Sequence, residues 1–351
     1  MTISVLHVAE SFSAGVATAI EGYIDHGPLG LRHTVCGYRR PGVQVGDTLD
    51  ARVPFIALPS GKAAQFKSIW AALHETDADV VHLHSSWGGM LGRVALPLRR
   101  PRVVYTPHCY GFDRQDLPHL ARSTIRVAES ILGWRLDAVG ACSRNEAAQA
   151  RRLWPHRTVV DLPYVLPTKL TEELVRVRRD GGPDLDGPLE IAAVGRVGPQ
   201  KDPAYFAAVA DHVCTQPGEP VRMVWIGGGD ADGEDALRRS GVDVTGWITR
   251  GQATARLSQA HAYLHTAAWE GLPLTLLEAA TLRLPMVLRR IPALEEVMVP
   301  TRGFGPASLA ASIADLRHRD RYEEAVDASR RFLDEHTPDR QRVALADLYG
   351  L

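Results

Sequence analysis

Two glutamates, Glu270 and Glu278, close off the stretch EGLPLTLLE with seven residues between them. The Gly-Leu-Pro turn after Glu270 reads as a loop that opens an apolar helix. Glu270 then lies on the loop, and Glu278 falls about two turns into the helix. The amides of Gly271, Leu272 and Leu274 would point out from the helix N-terminus, an end that attracts phosphate. From spacing alone, both glutamates could equally be solvated surface carboxylates.

A second cluster is GRVGPQKD, directly after the buried run Ile191 to Val194. Arg196 and Lys201, five apart, leave one strand end together. Arginine by bidentate hydrogen bonding and lysine as a point charge can neutralise a diphosphate, which stabilises a departing nucleoside diphosphate without metal. Taken alone, a basic pair on a loop is commonly just solvated surface. His108, in TPH at another strand end, is a candidate contact at a reacting centre or a hydrogen-bonded structural residue.

Other polar groups carry weaker signals. His82 and His84 form an H-x-H on one face of an expected strand, which invites a metal reading. The sequence offers them no third ligand, so packing is preferred. Of two D-x-D triplets, Asp184-Leu185-Asp186 falls in a linker and Asp230-Ala231-Asp232 in a very acidic turn, so no divalent metal is expected. Gly227-Gly228-Gly229 could cradle phosphate or serve any tight turn. Cys36, Cys109, Cys142 and Cys214 form no CxxC pair, which fits a reducing cytoplasm.

The elements that must position these groups follow from the apolar pattern. Short β-branched runs alternate with helical stretches: Ile3–Val8, Val80–His84, Arg102–Thr106 and Ala138–Ala141, then Leu189–Gly195, Val221–Gly227, Val242–Gly246, Ala262–Thr266 and Pro285–Leu288. That rhythm implies an α/β protein with parallel sheets and ligands beyond the carboxyl ends of the strands. A chain of 351 residues exceeds what one core usually serves. The charged, Gly/Pro-rich stretch 176–188 suits an exposed linker. Three parts are expected: residues 1–170, residues 171–325, and helices over 326–351 that pack back towards the first part.

Forty basic against 41 acidic side chains leave a formal charge of -1, no field for holding nucleic acid. The start, MTISVLHVA, has neither the charged n-region nor the length of a signal peptide or anchor. A cytoplasmic enzyme is expected. Peripheral membrane contact is conceivable at Arg151–Arg157, where basic residues flank Trp154, although a solvated helix end is preferred.

GRVGPQKD and EGLPLTLLEA resemble the R-x4-K and E-x7-E motifs of the large retaining glycosyltransferase family of group 1 type, family 4, which includes sucrose synthases and mannosyltransferases. The resemblance spans nearly the whole chain. DVVHLHSSWGGMLGR, VVYTPHCYGF and ACSRNEA are similar, in the same order, to amino-domain blocks of bacterial members that build surface polysaccharides. The resemblance implies the GT-B fold, two Rossmann-like domains facing a central cleft, with an amino-terminal acceptor domain and a carboxyl-terminal donor domain.

It also implies roles. Arg196 and Lys201 would hold the donor diphosphate, Glu278 the ribose, and Glu270 with the following amides the transferred sugar, while His108 would contact sugar hydroxyls. Gly227 and Trp247 would lie near the nucleotide, although Trp247 could equally pack in the core. Family members usually carry a Gly-Gly pair after the first strand, where this chain has Ala14-Gly15, and Gly15 is kept as a site. The implied reaction is retaining, metal-independent transfer from a nucleotide sugar, most commonly a UDP-sugar, with no cofactor. The acceptor would be a glycan, a lipid-linked sugar or a specialised metabolite. A GT-B sugar-nucleotide epimerase and a non-catalytic nucleotide-sugar binding subunit are the alternatives. A dehydrogenase is disfavoured, because no G-x-G-x-x-G follows the first strand.

Overall fold

The computed structural model describes residues 2–39, 49–97, 101–179, 183–214 and 220–351. The chain divides into two compact units. The first takes Met1–Pro167, Glu270–Leu272 and His336–Leu351, and the second takes Thr168–Trp269 and Pro273–Glu335.

The first unit holds β1 (Ile3–Ala9), β2 (Leu31–Gly37), β3 (Phe55–Ala57), β4 (Val80–His84), β5 (Arg102–Thr106), β6 (Ala138–Ala141) and β7 (Thr158–Asp161). They form one parallel sheet in the order β3-β2-β1-β4-β5-β6-β7. Helices cover such a sheet on both faces, so its central strands read as unbroken apolar runs. Strands that depart from this pattern were hidden in the sequence. β7 is only partly buried, and Arg32, His33 and Thr34 interrupt the apolar pattern of β2.

The second unit holds β8 (Leu189–Val194), β9 (Val221–Ile226), β10 (Asp243–Val244), β11 (Ala262–His265), β12 (Met286–Arg289) and β13 (Arg302–Gly303). These also run parallel, in the order β10-β9-β8-β11-β12-β13. The expected strand over Val242–Gly246 shrinks to β10, because Gly246 turns the chain at φ 67° and bridges to Gly227. Trp225 of β9 packs edge-on against Phe206 in the core. In each sheet the order reverses once, between β1 and β4 and between β8 and β11, and crevices at such points bind ligands.

Residues 176 and 177 end a helix, Thr168–Val177, rather than open a linker. Of the remaining linker, 180–182 lie outside the described residues. Near the end of the chain the helix Arg319–Leu333 stays with the second unit, whereas Pro338–Tyr349 packs in the first. Thr337 caps that last helix by accepting the Arg340 amide, with Pro338 at its first position. Gln341 donates to the Pro163 carbonyl at 2.8 Å and Arg102 to the Leu348 carbonyl at 2.9 Å, which anchor it. Among the described residues no helix is long and apolar enough to cross a membrane.

Candidate active site

In the first unit, β5 ends in Thr106, and two residues later the backbone enters the left-handed region. His108 has φ 53° and Cys109 φ 94°. For side chains other than glycine each such residue costs about 1 to 3 kcal/mol, and it persists only where neighbours over-determine it. Here Glu146 does so: one carboxylate oxygen accepts the Cys109 amide and the other the Cys142 amide, each at 2.8 Å. Within the same unit Gly271 lies against this turn. A Cβ there would stand 2.8 Å from the Cys109 nitrogen and 2.9 Å from the His108 carbonyl carbon. Glu270, beside it, is partly buried. Burial raises the Cys109 thiol well above its usual range, and the Glu270 charge adds to that.

His108 as a residue is partly exposed, while its imidazole is enclosed and burial lowers it to about 3. The ring is therefore neutral at physiological pH. Both of its nitrogens are engaged, Nδ1 with the Tyr164 hydroxyl at 2.5 Å and Nε2 with His84 Nδ1 at 3.0 Å. A neutral imidazole has one donor and one acceptor, so contact with a sugar hydroxyl requires one of these partners to give way.

Gly15 is exposed in the first turn of the helix Ala14–His26, whose N-cap Ser13 makes no side-chain cap. Ala14 stands at φ 48°, the conformation that a glycine would adopt without strain. At the neighbouring strand ends Ser85, at φ 62°, donates to Glu10 at 3.1 Å, and Lys62 approaches Glu10 at 3.7 Å. Glu10, Ser85, Glu146 and Tyr164 are site-forming residues that sequence reasoning did not single out. Of these, Glu146, inside the ACSRNEA block, and Ser85, inside DVVHLHSSWGGMLGR, carried a signal.

In the second unit the basic pair is tied to the strand end that leads to Glu270. Thr266 donates to the Lys201 carbonyl at 3.0 Å, and the Ala268 amide to the Gln200 carbonyl at 2.9 Å. The Lys201 stem lies over Gly195, and Arg196 lies against Gly229. Asp202, at φ 53°, accepts the Tyr205 amide and pairs with Arg289 at 2.6 Å, which fixes the end of the loop. His265, next to Thr266, is held well below its usual value by burial first and then by the Lys201 and Arg289 charges. Its Nε2 is buried without a hydrogen-bond partner.

Gly227 serves packing: at φ 134° its absent Cβ would fall 2.3 Å from the Gly195 carbonyl oxygen. Its amide donates to Thr245, and the Gly229 amide to Glu234. The Gly227 and Gly229 amides are thus engaged within the turn itself. Asp230 is the N-cap of the helix Ala231–Arg239 and accepts the Gly233 amide. Asp184 accepts the amide of Asp186. Both D-x-D triplets are thus engaged in turns.

Trp247 is 54% exposed, so it is not a core residue. Its backbone lies against Gly228. The helix after Glu270 begins only at Leu274, with Pro273 as an N-cap that makes no side-chain bond. Glu278 is therefore one turn into the helix, not two, and pairs with Arg250 at 3.2 Å. Leu272 and Leu274 are buried. Trp154 is buried as well, its indole donating to the Glu129 carbonyl, which removes it as a membrane anchor. Several large exposed apolar side chains, among others elsewhere on the surface, lie on the preceding helix His119–Leu132 and just beyond it: Leu120, Val127, Ile131 and Trp134.

Comparison with known proteins accounts for this layout. Residues 14–164 match the model of a glycosyl transferase 4-like domain, and residues 188–318 that of the glycosyl transferases group 1. An uncharacterised 41.2 kDa protein of the Klebsiella pneumoniae cps region is 23% identical over 84% of this chain and 83% of its own length. An Escherichia coli UDP-Gal:alpha-D-GlcNAc-diphosphoundecaprenol alpha-1,3-galactosyltransferase is 25% identical over 64% of this chain and 61% of its own length. Among solved structures, sucrose-phosphate synthase from Thermosynechococcus elongatus superposes with TM-score 0.76 at 16% identity, covering 100% of this chain and 98% of the other. Anabaena HepE in complex with UDP and glucose gives TM-score 0.76 at 14% identity, over 99% and 100%. With both domain models matched in order over a fold shared with these transferases, the chain belongs to the GT-B glycosyltransferases of group 1 type.

Proposed function

We propose that this chain is a retaining, metal-independent hexosyltransferase that moves a sugar from a UDP-sugar to a glycan or lipid-linked acceptor. One observation carries the proposal: the loop bearing Arg196 and Lys201 is hydrogen-bonded, through Gln200 and Lys201, to the segment that runs directly into Glu270. The cations for the leaving diphosphate are thereby tied, within the second unit, to the strand end from which the chain runs on to Glu270. The choice of UDP rests on the galactosyltransferase relative, whose name specifies UDP-Gal, and on HepE, whose structure contains UDP and glucose.

In this reading Arg196 and Lys201 neutralise charge that develops on the diphosphate as the glycosidic bond breaks. Glu278 holds the ribose, and the exposed Trp247 indole offers the base a stacking face. Glu270 and the amides of Gly271, Leu272 and Leu274 orient the sugar, and His108 reaches its hydroxyls by releasing Tyr164 or His84. The acceptor attacks on the face from which the diphosphate leaves, and the leaving phosphate takes the acceptor's proton, so configuration is retained. The two cations supply the charge that a divalent metal supplies elsewhere, and both D-x-D triplets are already used in turns. The exposed apolar residues on and beyond His119–Leu132 favour peripheral contact with a membrane that holds a lipid-linked acceptor.

The test is a panel of UDP-, GDP-, ADP- and dTDP-sugars with EDTA present, read by thermal shift and by proton NMR of the sugar released on slow hydrolysis. Stabilisation by one UDP-sugar with release of the donor's own anomer is expected. Release of the opposite anomer, or dependence on added metal, would overturn the mechanism. Binding without any turnover would favour a non-catalytic binding subunit, and a changed sugar still attached to UDP would favour an epimerase.

A further inference from the structure

Four histidines of the first unit form one continuous hydrogen-bonded row. His33 Nδ1 meets His7 Nε2, His7 Nδ1 meets His84 Nε2, and His84 Nδ1 meets His108 Nε2, each at 3.0 Å. The row follows from sheet register. His33 on β2 is opposite Val5, and His7 is two residues further along β1. His7 is opposite His82, and His84 is two residues further along β4. His84 is opposite Thr106, and His108 is two residues beyond. Each step crosses one strand and climbs one side-chain repeat on the same face, so the row runs diagonally to the strand end where His108 lies.

A neutral imidazole donates at one nitrogen and accepts at the other. In a row of nitrogen-to-nitrogen contacts, the proton position on any ring therefore dictates that on every other. Reversing one ring alone would set two N–H groups face to face on one side and two lone pairs on the other. His7 and His84 are fully buried, and burial holds both well below the usual histidine range. The Tyr23 ring stacks on His84, His108 and, nearby, His82, closing the row from the helix side.

The far end supplies a direction. His108 Nδ1 meets the Tyr164 hydroxyl, Tyr164 bonds Cys142, and Cys142 bonds Glu146. Glu146 accepts hydrogen bonds on both oxygens, and a carboxylate can only accept. The chain of donors then points from His33 to Glu146. A metal reading of His7, His82 and His84, whose nitrogens lie within 4.8 Å of one another, competes poorly. The facing His7 and His84 nitrogens point at each other, and both His82 nitrogens are taken, by Tyr349 and by Thr106.

We propose that His33, His7 and His84 are positioning residues of one tautomer-coupled row that Glu146 orients through Tyr164, holding the His108 proton on Nδ1 so that it is donated to a sugar hydroxyl once Tyr164 gives way. The role for the sugar rests on the proposed function, whereas the row itself can be read without any donor.

The experiment labels the histidines of the full-length protein with nitrogen-15 and records couplings across the N–H···N bonds together with ring tautomers. Couplings along His33, His7, His84 and His108 are expected, with Nδ1–H on His7, His84 and His108. Tyr164→Phe, which cuts the row from Glu146, should mix the tautomers at His7, His84 and His108 and lower kcat about fivefold with donor KM unchanged, the loss of roughly one hydrogen bond. His33→Leu, at the opposite end, should leave Nδ1–H on His84 and His108. An Nε2–H tautomer at His108, His7 and His84 spectra unmoved by Tyr164→Phe, or resonances that shift on adding zinc and return with EDTA would overturn the proposal. Failure to find a sugar donor would count against the proposed function and leave the spectra to decide the row.

Discussion

Glu146 joins two strand ends by accepting the Cys109 amide on one oxygen and the Cys142 amide on the other, each at 2.8 Å. Cys109 follows His108, and both have positive φ, so the carboxylate holds strained backbone where Gly271 comes into contact. Its own pKa is raised by burial, with the two amides working against that shift.

Replacing this acceptor tests whether the strain is held from outside. Glu146→Gln leaves one N–H facing an NH2 group, and an unsatisfied buried donor costs about 1 to 3 kcal/mol. A lower urea midpoint together with a larger fall in turnover is expected. Wild-type stability and turnover would show that the turn at His108 needs no such support.

Ala14, at φ 48°, predicts a stabilising substitution. Left-handed backbone costs a side-chain-bearing residue about 1 to 2 kcal/mol, and glycine returns roughly 0.4 to 1 kcal/mol of that through its freer unfolded chain. Ala14→Gly should therefore gain about 0.5 kcal/mol in urea unfolding, as the difference of those two terms. A loss of stability would contradict the left-handed conformation.

The buried histidines set an acid limit. His33 is lowered to about 4 and His108 to about 3, both by burial, and His7, His82 and His84 also lie well below their usual value. Their folded values are below the unfolded one, so their contribution is complete above about pH 6.5 and is lost as pH falls towards the folded values. Each such group costs about 1.4 kcal/mol per pH unit in that window. Thermal melts at pH 7, 6 and 5 should show a steep fall, and a flat profile would mean that the rings charge freely within the fold.

The exposed side chains of Ile131 and Trp134, 63% and 62% accessible, predict weak attachment to lipid. Flotation with anionic vesicles should recover the wild-type chain, and Ile131→Ser with Trp134→Ser should reduce recovery several-fold without a change in melting temperature. Equal recovery of both would remove this surface from the account.

Much of this architecture was legible because parallel strands buried on both faces leave unbroken apolar runs such as VVHLH and LEIAAV, and because chemistry gathers at their ends. β2 and β7 escaped, since both mix polar residues into short runs. The motif residues were legible by type and spacing, but their partners were not. Nothing near Glu278 announces Arg250, and nothing near His108 announces Tyr164, because those contacts arise from residues 28 and 56 positions away. The histidine row depends on strand order: His33, His7 and His84 become neighbours only once β2, β1 and β4 lie side by side. The indole at position 247 could be weighed as core or as platform from sequence, and only its exposure separates the two.

The most direct test of the central claim is calorimetric titration of UDP into wild-type protein and Lys201→Ala, both in EDTA. Metal-free binding by the wild type is predicted, weakened about tenfold or more in the variant, as expected on losing one charged hydrogen bond worth roughly 1.5 to 3 kcal/mol. Equal affinities, or binding that appears only when a divalent metal replaces EDTA, would contradict a diphosphate site built on Arg196 and Lys201.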